Sequence, residues 1–146
     1  MPSYYPPTGF HFRVEFDLAG VSDNDMRFQE VSGLTAKLGT EELVEGGENR
    51  FAHRLPTRGD YGNLVLKRGL LTDSGLISWM RDAIENFQFD PVDVMVSLLN
   101  EEHEPLVSWS FRRTWPVQWA ISDLSAQDNS LVIETIELVY SYYTKV

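Results

Sequence analysis

The stretch VDVMVSLLNEEHEPLVSWSFRRTWP, residues 92–116, alternates apolar and polar side chains on both sides of a short acidic turn. In its second half Val107, Trp109 and Phe111 alternate with serine and arginine. Such a period of two is typical of a strand with one buried face, because successive side chains point to opposite sides of an extended chain. The polar segment NEEHEP between the two runs predicts a hairpin turn. The stretch therefore predicts two antiparallel strands.

The same alternation continues towards the N-terminus. FHFRVEFDL, residues 10–18, predicts a strand with one buried and one wet face. In MRFQEVSGL, residues 26–34, an extended pattern reaches Gly33, where we expect a bulge or bend. TAKLGTEELV, residues 35–44, is predicted to be the hairpin partner of that segment.

Shorter strands are predicted for the middle and the end of the chain. RFAHRLP is a short extended piece, and Pro56 confines it to an edge or loop because proline has no N–H to donate. TRGDYG predicts a loop, and NLVLKRGLL predicts a strand. VQWAI and LVIETIELVYSYY complete the pattern, the latter with Ile136, Leu138, Tyr140 and Tyr142 on one face.

One helix is predicted among these strands. DSGLISWMRDAIENF, residues 73–87, has an apolar stripe at helical spacing, and Asp73 or Ser74 can cap its first turn. The stripe comprises Leu76, Met80, Ala83 and Phe87, with Trp79 and Ile84 widening it. Many short strands with one helix, and no repeat or linker, predict a single domain over residues 1–146. Its expected architecture is an antiparallel β-sandwich or partly closed barrel with one flanking α-helix.

The composition limits the classes of partner. A net charge of −10 repels phosphate backbones and anionic lipids, so we expect no specific nucleic-acid binding and no membrane binding by this chain. The absence of cysteine excludes disulfides, thiolate catalysis and Cys-based metal sites. The first residues, MPSYYPPTGF, lack the basic and apolar regions of a signal peptide, which predicts synthesis in the cytoplasm without one.

The sequence predicts no catalytic residue, no cofactor and no metal site, and hence no enzyme. His11, His53 and His103 are far apart in the chain and form no HExxH or HxH pair. The acidic cluster Glu101–Glu104 could hold a cation, but at a hairpin tip it is more simply explained as solvated charge. The loop EELVEGGENR is no phosphate cradle, since glutamates flank Gly46 and Gly47.

The ordered segments together resemble a known family. YYPPTGFHFRVEF, RFQEVSGL, EELVEGGENR, HRLPTRGDYGNLVLKRG, the helix LISWMRDAIENF, LLNEEHEPLVSWSFRRTWPVQW and ETIELVYSYY cover nearly the whole chain. They resemble the tail tube proteins of contractile phages and extracellular contractile injection systems, which are similar to the haemolysin-coregulated protein of type VI secretion. The resemblance implies a structural subunit of stacked hexameric rings with a continuous inner β-barrel, inside a contractile sheath. Its partners would be other tube, sheath and baseplate subunits, with DNA or effector cargo in the lumen.

Two sets of residues follow from the resemblance as expectations. The first is a subunit interface built on the flexible, charged Gly-Gly loop and the segment after it. It comprises Glu45, Gly46, Gly47, Glu48, Asn49, Arg50, Arg54, Arg58 and Tyr61. The second is a lumen wall, expected where polar residues alternate with the apolar face of each strand. It comprises Arg27, Gln29, Lys37, Glu41, Lys67, Asp93 and Ser97.

The residues leave several alternatives open. The Gly-Gly loop can also be a solvated hairpin tip. The tyrosines near the two ends of the chain could anchor a subunit contact or could fill the domain's own core. They are Tyr4, Tyr5, Tyr140, Tyr142 and Tyr143. A monomeric ligand-binding β-sandwich is the alternative function. A shaft subunit and a baseplate-proximal tube initiator are both compatible with the sequence, with a slight preference for the initiator. The particle could be a phage tail or an extracellular injection device.

Overall fold

A computed structural model describes residues 12–18, 20–21, 28–43, 53–71, 74–127 and 131–146. Nine strands and one helix make up this described part of the chain. The elements run β1 (Phe12–Phe16), β2 (Glu30–Ser32), β3 (Ala36–Leu43), β4 (His53–Tyr61), β5 (Leu64–Gly69), α1 (Gly75–Asn86), β6 (Val92–Leu99), β7 (Pro105–Ile121), β8 (Ile133–Val139) and β9 (Tyr142–Lys145). The mainly β class with one helix is confirmed.

Seven strands form one antiparallel sheet. Its order is β1-β6-β7-β8-β5-β2, and β9 pairs with the first half of β7. The hairpin of residues 92–116 is confirmed as β6 and β7. The end strands β1 and β2 do not pair with each other in the described residues, so this sheet is not a closed barrel.

The seven-stranded sheet bends over the hydrophobic core in the middle of the long strand β7. Its first half pairs with β6, and its second half, which the sequence suggested to be a separate strand, pairs with β8. Between the halves Arg113 has a positive φ of 55°, and the register with β8 shifts between Pro116 and Gln118. A bulge of this kind bends a strand and increases its twist. The apolar faces of the two sheet halves therefore face inward together.

The core lies between these halves and α1. Its fully buried members include Val14, Leu64, Leu66, Leu76, Met80, Val94, Phe111, Ile136 and Leu138. The helix begins after Ser74, whose Oγ accepts a hydrogen bond of 3.1 Å from the N–H of Ile77. The predicted stripe is confirmed for its first members and for Trp79, but Ile84 is 47% exposed and Phe87 is 82% exposed. Ile77 is buried in their place.

The prediction that residues 35–44 pair back onto residues 26–34 is wrong. β2 pairs with β5, whereas β3 pairs with β4. The physical reason is that the chain bends at Gly33 instead of reversing. β2 therefore pairs with β5 and β3 with β4, which are separated from each other by only Gly62 and Asn63. The predicted loop TRGDYG lies within β4 up to Tyr61. Pro56 does lie in an edge strand, opposite Thr40.

Candidate subunit interface

The hairpin of β3 and β4, here called the arm, exposes side chains on both of its faces. It forms a separate two-stranded sheet, and no other strand of the described residues pairs with it. Its exposed side chains are Lys37, Leu38, Thr40, Glu41, Glu42, Arg54, Leu55 and Asp60. Leu38 is 74% exposed. An isolated two-stranded hairpin is at best marginally stable in water. We therefore expect the arm to gain stability from a partner that covers it.

The base of the arm is held by a glycine bend. Gly33 has a positive φ of 91°, and a Cβ added there would overlap the carbonyl oxygen of Asn63. Thr35 N–H donates to the Gly33 carbonyl oxygen at 2.8 Å, and Gly62 N–H donates to the Thr35 carbonyl oxygen at 3.2 Å. Only glycine fits both the backbone angle and the space. The bend predicted at Gly33 is therefore confirmed, and it sets the direction in which the arm leaves the sheet.

An aromatic cluster fastens the same base to the core. Tyr61, the last residue of β4, has its ring centroid 5.9 Å from that of Tyr140 and 5.2 Å from that of Tyr143. The Tyr140 hydroxyl donates a hydrogen bond of 2.7 Å to the Gly62 carbonyl oxygen. Burial of the phenol, and then the neighbouring Tyr143 and Tyr61, raise the pKa of Tyr140 to about 12. Tyr140 thus stays neutral and keeps its proton for this hydrogen bond.

The expected interface residues fall into three groups. Glu45, Gly46, Gly47, Glu48, Asn49 and Arg50 lie outside the described residues. Arg54 is exposed on β4, and Arg58 lies in the same strand. Tyr61 belongs to the aromatic cluster at the base of the arm, so its ring already packs against Tyr140 and Tyr143 of the same chain. Their role at a subunit interface stays a prediction.

The expected lumen residues lie on different parts of the fold. Arg27 is outside the described residues. Lys37 and Glu41 are exposed at alternate positions of β3, and are thus on one face of the arm. Lys67 lies on β5, where its Nζ is 3.7 Å from an oxygen of Glu30, and its carbonyl oxygen accepts the N–H of Gln29.

The other half of the sheet carries the remaining two lumen candidates. Asp93 pairs with Arg112 at 2.7 Å. Ser97 is buried, with its Oγ 2.9 Å from Ser108 Oγ, so its hydroxyl already has a partner within the chain. The structure does not bring the whole set together on one strand pair, and the lumen assignment stays a prediction.

A buried ion pair escaped the sequence analysis. Arg68 Nε lies 2.7 Å from Glu134 Oε2, and the residues sit opposite each other on β5 and β8. Both are inside: Arg68 is 2% exposed and Glu134 is fully buried. Trp119 Nε1 donates to the other Glu134 oxygen, and the guanidinium lies over the Phe28 ring at 5.2 Å. The sequence feature that could have indicated this pair is the alternation of β5, in which Arg68 occupies the next inward-facing position after Leu64 and Leu66.

The described residues contain no cluster of His, Cys, Asp or Glu that could hold a metal ion. At the tip of the β6–β7 hairpin, the Asn100 side-chain oxygen instead accepts the N–H groups of Glu102 and Glu104, both at 2.9 Å. Among all the described residues, no helix is long and apolar enough to cross a membrane.

The family model for the T4-like virus tail tube protein gp19 matches residues 8–144. The chain belongs to the T4-like tail tube protein family. The resemblance drawn from the sequence is thereby confirmed. No curated protein matches the chain significantly.

Solved structures give the tail tube protein several neighbours. A chain in the cryo-EM structure of the anti-feeding prophage baseplate is 30% identical with a TM-score of 0.89, over 99% of this chain and 97% of that one. A chain of the extracellular contractile injection system PVC sheath-tube complex is 23% identical with a TM-score of 0.81, over 98% and 93% of the two chains. Hcp1 from Flavobacterium johnsoniae shares the fold at 12% identity and a TM-score of 0.53, over 92% and 93%.

Proposed function

We propose that the tail tube protein is a structural, non-enzymatic subunit of the inner tube of a contractile tail or injection system. It assembles into stacked hexameric rings whose lumen conducts DNA or effector cargo. The single observation that carries this proposal is the arm, whose two strands expose side chains on both faces, whereas the separate seven-stranded sheet covers a core. An arm without a core of its own gains stability by lying on a neighbouring subunit.

The open sheet supports the same proposal. β1 and β2 end the seven-stranded sheet, and an end strand offers unpaired N–H and C=O groups to another chain. Joining copies edge to edge satisfies these groups and closes a barrel around a central channel. Sheath and baseplate subunits are the expected further partners, and an assembled phage tail or extracellular particle is the expected location.

A baseplate-proximal position is the finer part of the proposal. The similarity to the baseplate chain of the anti-feeding prophage supports it, at 30% identity and a TM-score of 0.89. The compared chain from the PVC sheath-tube complex has 23% identity and a TM-score of 0.81. A subunit that begins a tube differs from a shaft subunit in its contacts on one side only. Purified protein mixed with shaft subunits of the same particle is therefore expected to seed tubes without lengthening them.

The Gly-Gly loop is proposed to couple subunits together with the arm, since it connects β3 to β4. Valine in place of Gly46 and Gly47 removes access to positive φ and adds bulk. Fewer and shorter stacks of rings are expected in electron micrographs of this double variant. Tubes of normal length would contradict a coupling role for the loop.

A monomeric ligand-binding module is the second candidate. A mainly apolar groove of about 340 Å³ lies between the end strands. It is lined by Phe12, Gln29, Glu30, Val31, Leu34, Val96, Leu98 and Trp109. Ligand pockets are typically concave and apolar, which favours this alternative. Negative-stain electron microscopy of concentrated protein separates the two. Hexameric rings are expected from a tube subunit, whereas a persistent monomer without rings would favour the binding module.

A further inference from the structure

The inner face of the seven-stranded sheet continues past the core at one end. Phe12 of β1, Leu98 of β6 and Trp109 of β7 follow the inward alternation of their strands, yet each is only partly buried. Opposite them Leu34, which follows β2, is 36% exposed. These four side chains belong to the wall of the groove of about 340 Å³ between the end strands. The described residues therefore leave apolar surface in contact with water here.

The size and the aromatic wall of this groove suit a short peptide segment. Ligand pockets typically have about 300 to 1,000 Å³, so this groove is at the lower end of the range. Two of its wall residues are aromatic, Phe12 and Trp109. Aromatic-lined grooves bind proline-rich segments in the polyproline II conformation, because such a segment is already extended and loses little conformational entropy on binding. The groove therefore fits a short proline-containing segment.

A segment of this kind directly precedes the groove in the same chain. β1 begins at Phe12, and residues 1–11, MPSYYPPTGFH, lie outside the described residues. Proline fixes φ at about −65° and favours an extended conformation in the residue before it. The sequence YYPP, residues 4–7, therefore favours polyproline II. Between it and β1, Gly9 permits the positive φ that a return of the chain requires.

Tether and charge favour this segment over other occupants. Residues 1–11 contain no aspartate or glutamate, whereas the groove wall includes Glu30 and a second copy would bring a further net charge of −10. Residues 22–27, which precede β2 and also lie outside the described residues, carry two aspartates and a single apolar side chain, Met26. A short tether also presents residues 4–7 to the groove at about millimolar effective concentration.

We propose that residues 4–7 dock in the groove of their own chain as a polyproline II segment, with the rings of Tyr4 and Tyr5 against Phe12 and Trp109. The docked segment covers the apolar wall in the isolated subunit and occupies the space that a small ligand would need. Tyr4 and Tyr5 then serve the domain's own packing and not a contact between subunits. This inference goes beyond the proposed function and does not depend on the formation of rings.

A cross-link tests the contact directly, since the chain contains no cysteine. Ser3→Cys with Leu34→Cys puts one thiol beside the segment and one in the groove wall, where a short bismaleimide can join them. On a denaturing gel, a link within one chain keeps the mass of one chain, whereas a link between copies doubles it. A link within one chain is expected. Ser3→Cys with Leu124→Cys is the matched control, because Leu124 is 77% exposed and outside the groove wall, and about tenfold less link is expected.

A free peptide of residues 1–11 provides the second measurement. Fluorescence anisotropy with the labelled peptide reports how accessible the groove of the full chain is. The double variant Tyr4→Ser, Tyr5→Ser lacks its own docking rings and is expected to bind the peptide about tenfold or more tightly than the wild type, whose groove is occupied. Tyr142→Ser removes a tyrosine of β9 that is 46% exposed and outside the groove wall, and is expected to bind the peptide like the wild type.

Three results would overturn the inference. A covalent dimer as the main cross-linked product would assign the groove to a second copy. Equal linking of the two cysteine pairs would show that the segment does not lie at the groove. Equal peptide binding by the wild type and the double variant would show that the tyrosines do not occupy it. Neither measurement needs rings, so these results would leave the proposed function unchanged, and a wild type without rings would contradict the proposed function alone.

Discussion

The arm and the body of the tail tube protein, meaning the seven-stranded sheet with α1, are built from strands of similar sequence pattern but differ in burial. In the body, every second residue of β5 and β8 is buried, as in Leu64, Leu66, Ile136 and Leu138. In the arm, no residue with a described side chain is buried. The body therefore has its own source of stability in buried apolar area, and the described residues of the arm lack one.

The two regions meet at the glycine bend, which gives the largest expected effect. Gly33→Ala places a Cβ against the Asn63 carbonyl oxygen at a positive φ, and we expect a loss of more than about 4 kcal/mol, or no folded protein. Urea unfolding measures the loss. Gly59→Ala is the matched control in the arm, because its Cβ would lie 3.6 Å from the nearest atom, the Lys37 carbonyl oxygen, in ordinary contact. Equal losses in the two variants would contradict this account of the bend.

The buried ion pair gives the next largest effect and tests the body alone. Glu134→Gln removes the buried carboxylate that lies 2.7 Å from Arg68 Nε, and we expect a loss of about 3 to 5 kcal/mol by urea unfolding. The double variant Arg68→Met, Glu134→Leu replaces the pair with apolar side chains and is expected to recover most of that loss. A double variant as unstable as the single one would show that the pair itself stabilises β5 and β8.

A pair of leucines compares the two regions directly. Leu66→Ala in the body removes a fully buried side chain and is expected to cost about 3 kcal/mol. Leu38→Ala in the arm is expected to change the unfolding free energy of the isolated subunit by less than about 0.5 kcal/mol. In assembled protein, Leu38→Ala is expected to shorten the stacks of rings seen by electron microscopy. Stacks of normal length would show that Leu38 does not contribute to the subunit interface.

Tyr140 gives the smallest effect, at the junction of arm and body. Tyr140→Phe removes the hydrogen bond to the Gly62 carbonyl oxygen and is expected to cost about 1 kcal/mol at neutral pH. The folded pKa of about 12 exceeds the ordinary tyrosine pKa of 10.0, so the folded state favours the neutral phenol. Its contribution is complete below pH 10 and is lost as the pH rises towards 12.

Urea unfolding at a series of alkaline pH values measures this loss. The wild type is expected to lose more stability than Tyr140→Phe between pH 10 and 12, the window between the ordinary tyrosine pKa and the folded pKa. Other tyrosines and lysines titrate in both proteins, so the difference between the two curves isolates Tyr140. Identical pH dependence would contradict the role assigned to its neutral hydroxyl.

The strands and the helix could be predicted from the sequence because their patterns are local. Alternation in residues 10–18 and 92–116 follows the pleat, and the helix begins at a capping serine, Ser74. Strand pairing could not be predicted in the same way. The pattern around β2 is identical whether its partner is β3 or β5, and a bend at Gly33 rather than a reversal of the chain decides between them.

Sites that depend on tertiary contacts were harder to predict from the sequence. Phe87 continues the apolar stripe in sequence, but the helix ends one residue earlier and the left-handed backbone turns its ring outward. The ion pair of Arg68 and Glu134 was not predicted, although both residues follow the inward alternation of their strands. The interface expected on the arm stays a prediction; what the structure adds is that the described side chains on both faces of this strand pair include no buried one.

Hydrogen–deuterium exchange of the isolated subunit and of assembled tubes tests the central claim most directly. The backbone amides of β3 and β4 are expected to exchange rapidly in the subunit and slowly in the tube, because neighbouring copies cover the arm only after assembly. The amides of β6 and β8 are expected to be protected in both states. An arm equally protected in the isolated subunit, or equally unprotected in the tube, would contradict the claim that its stability comes from neighbouring copies.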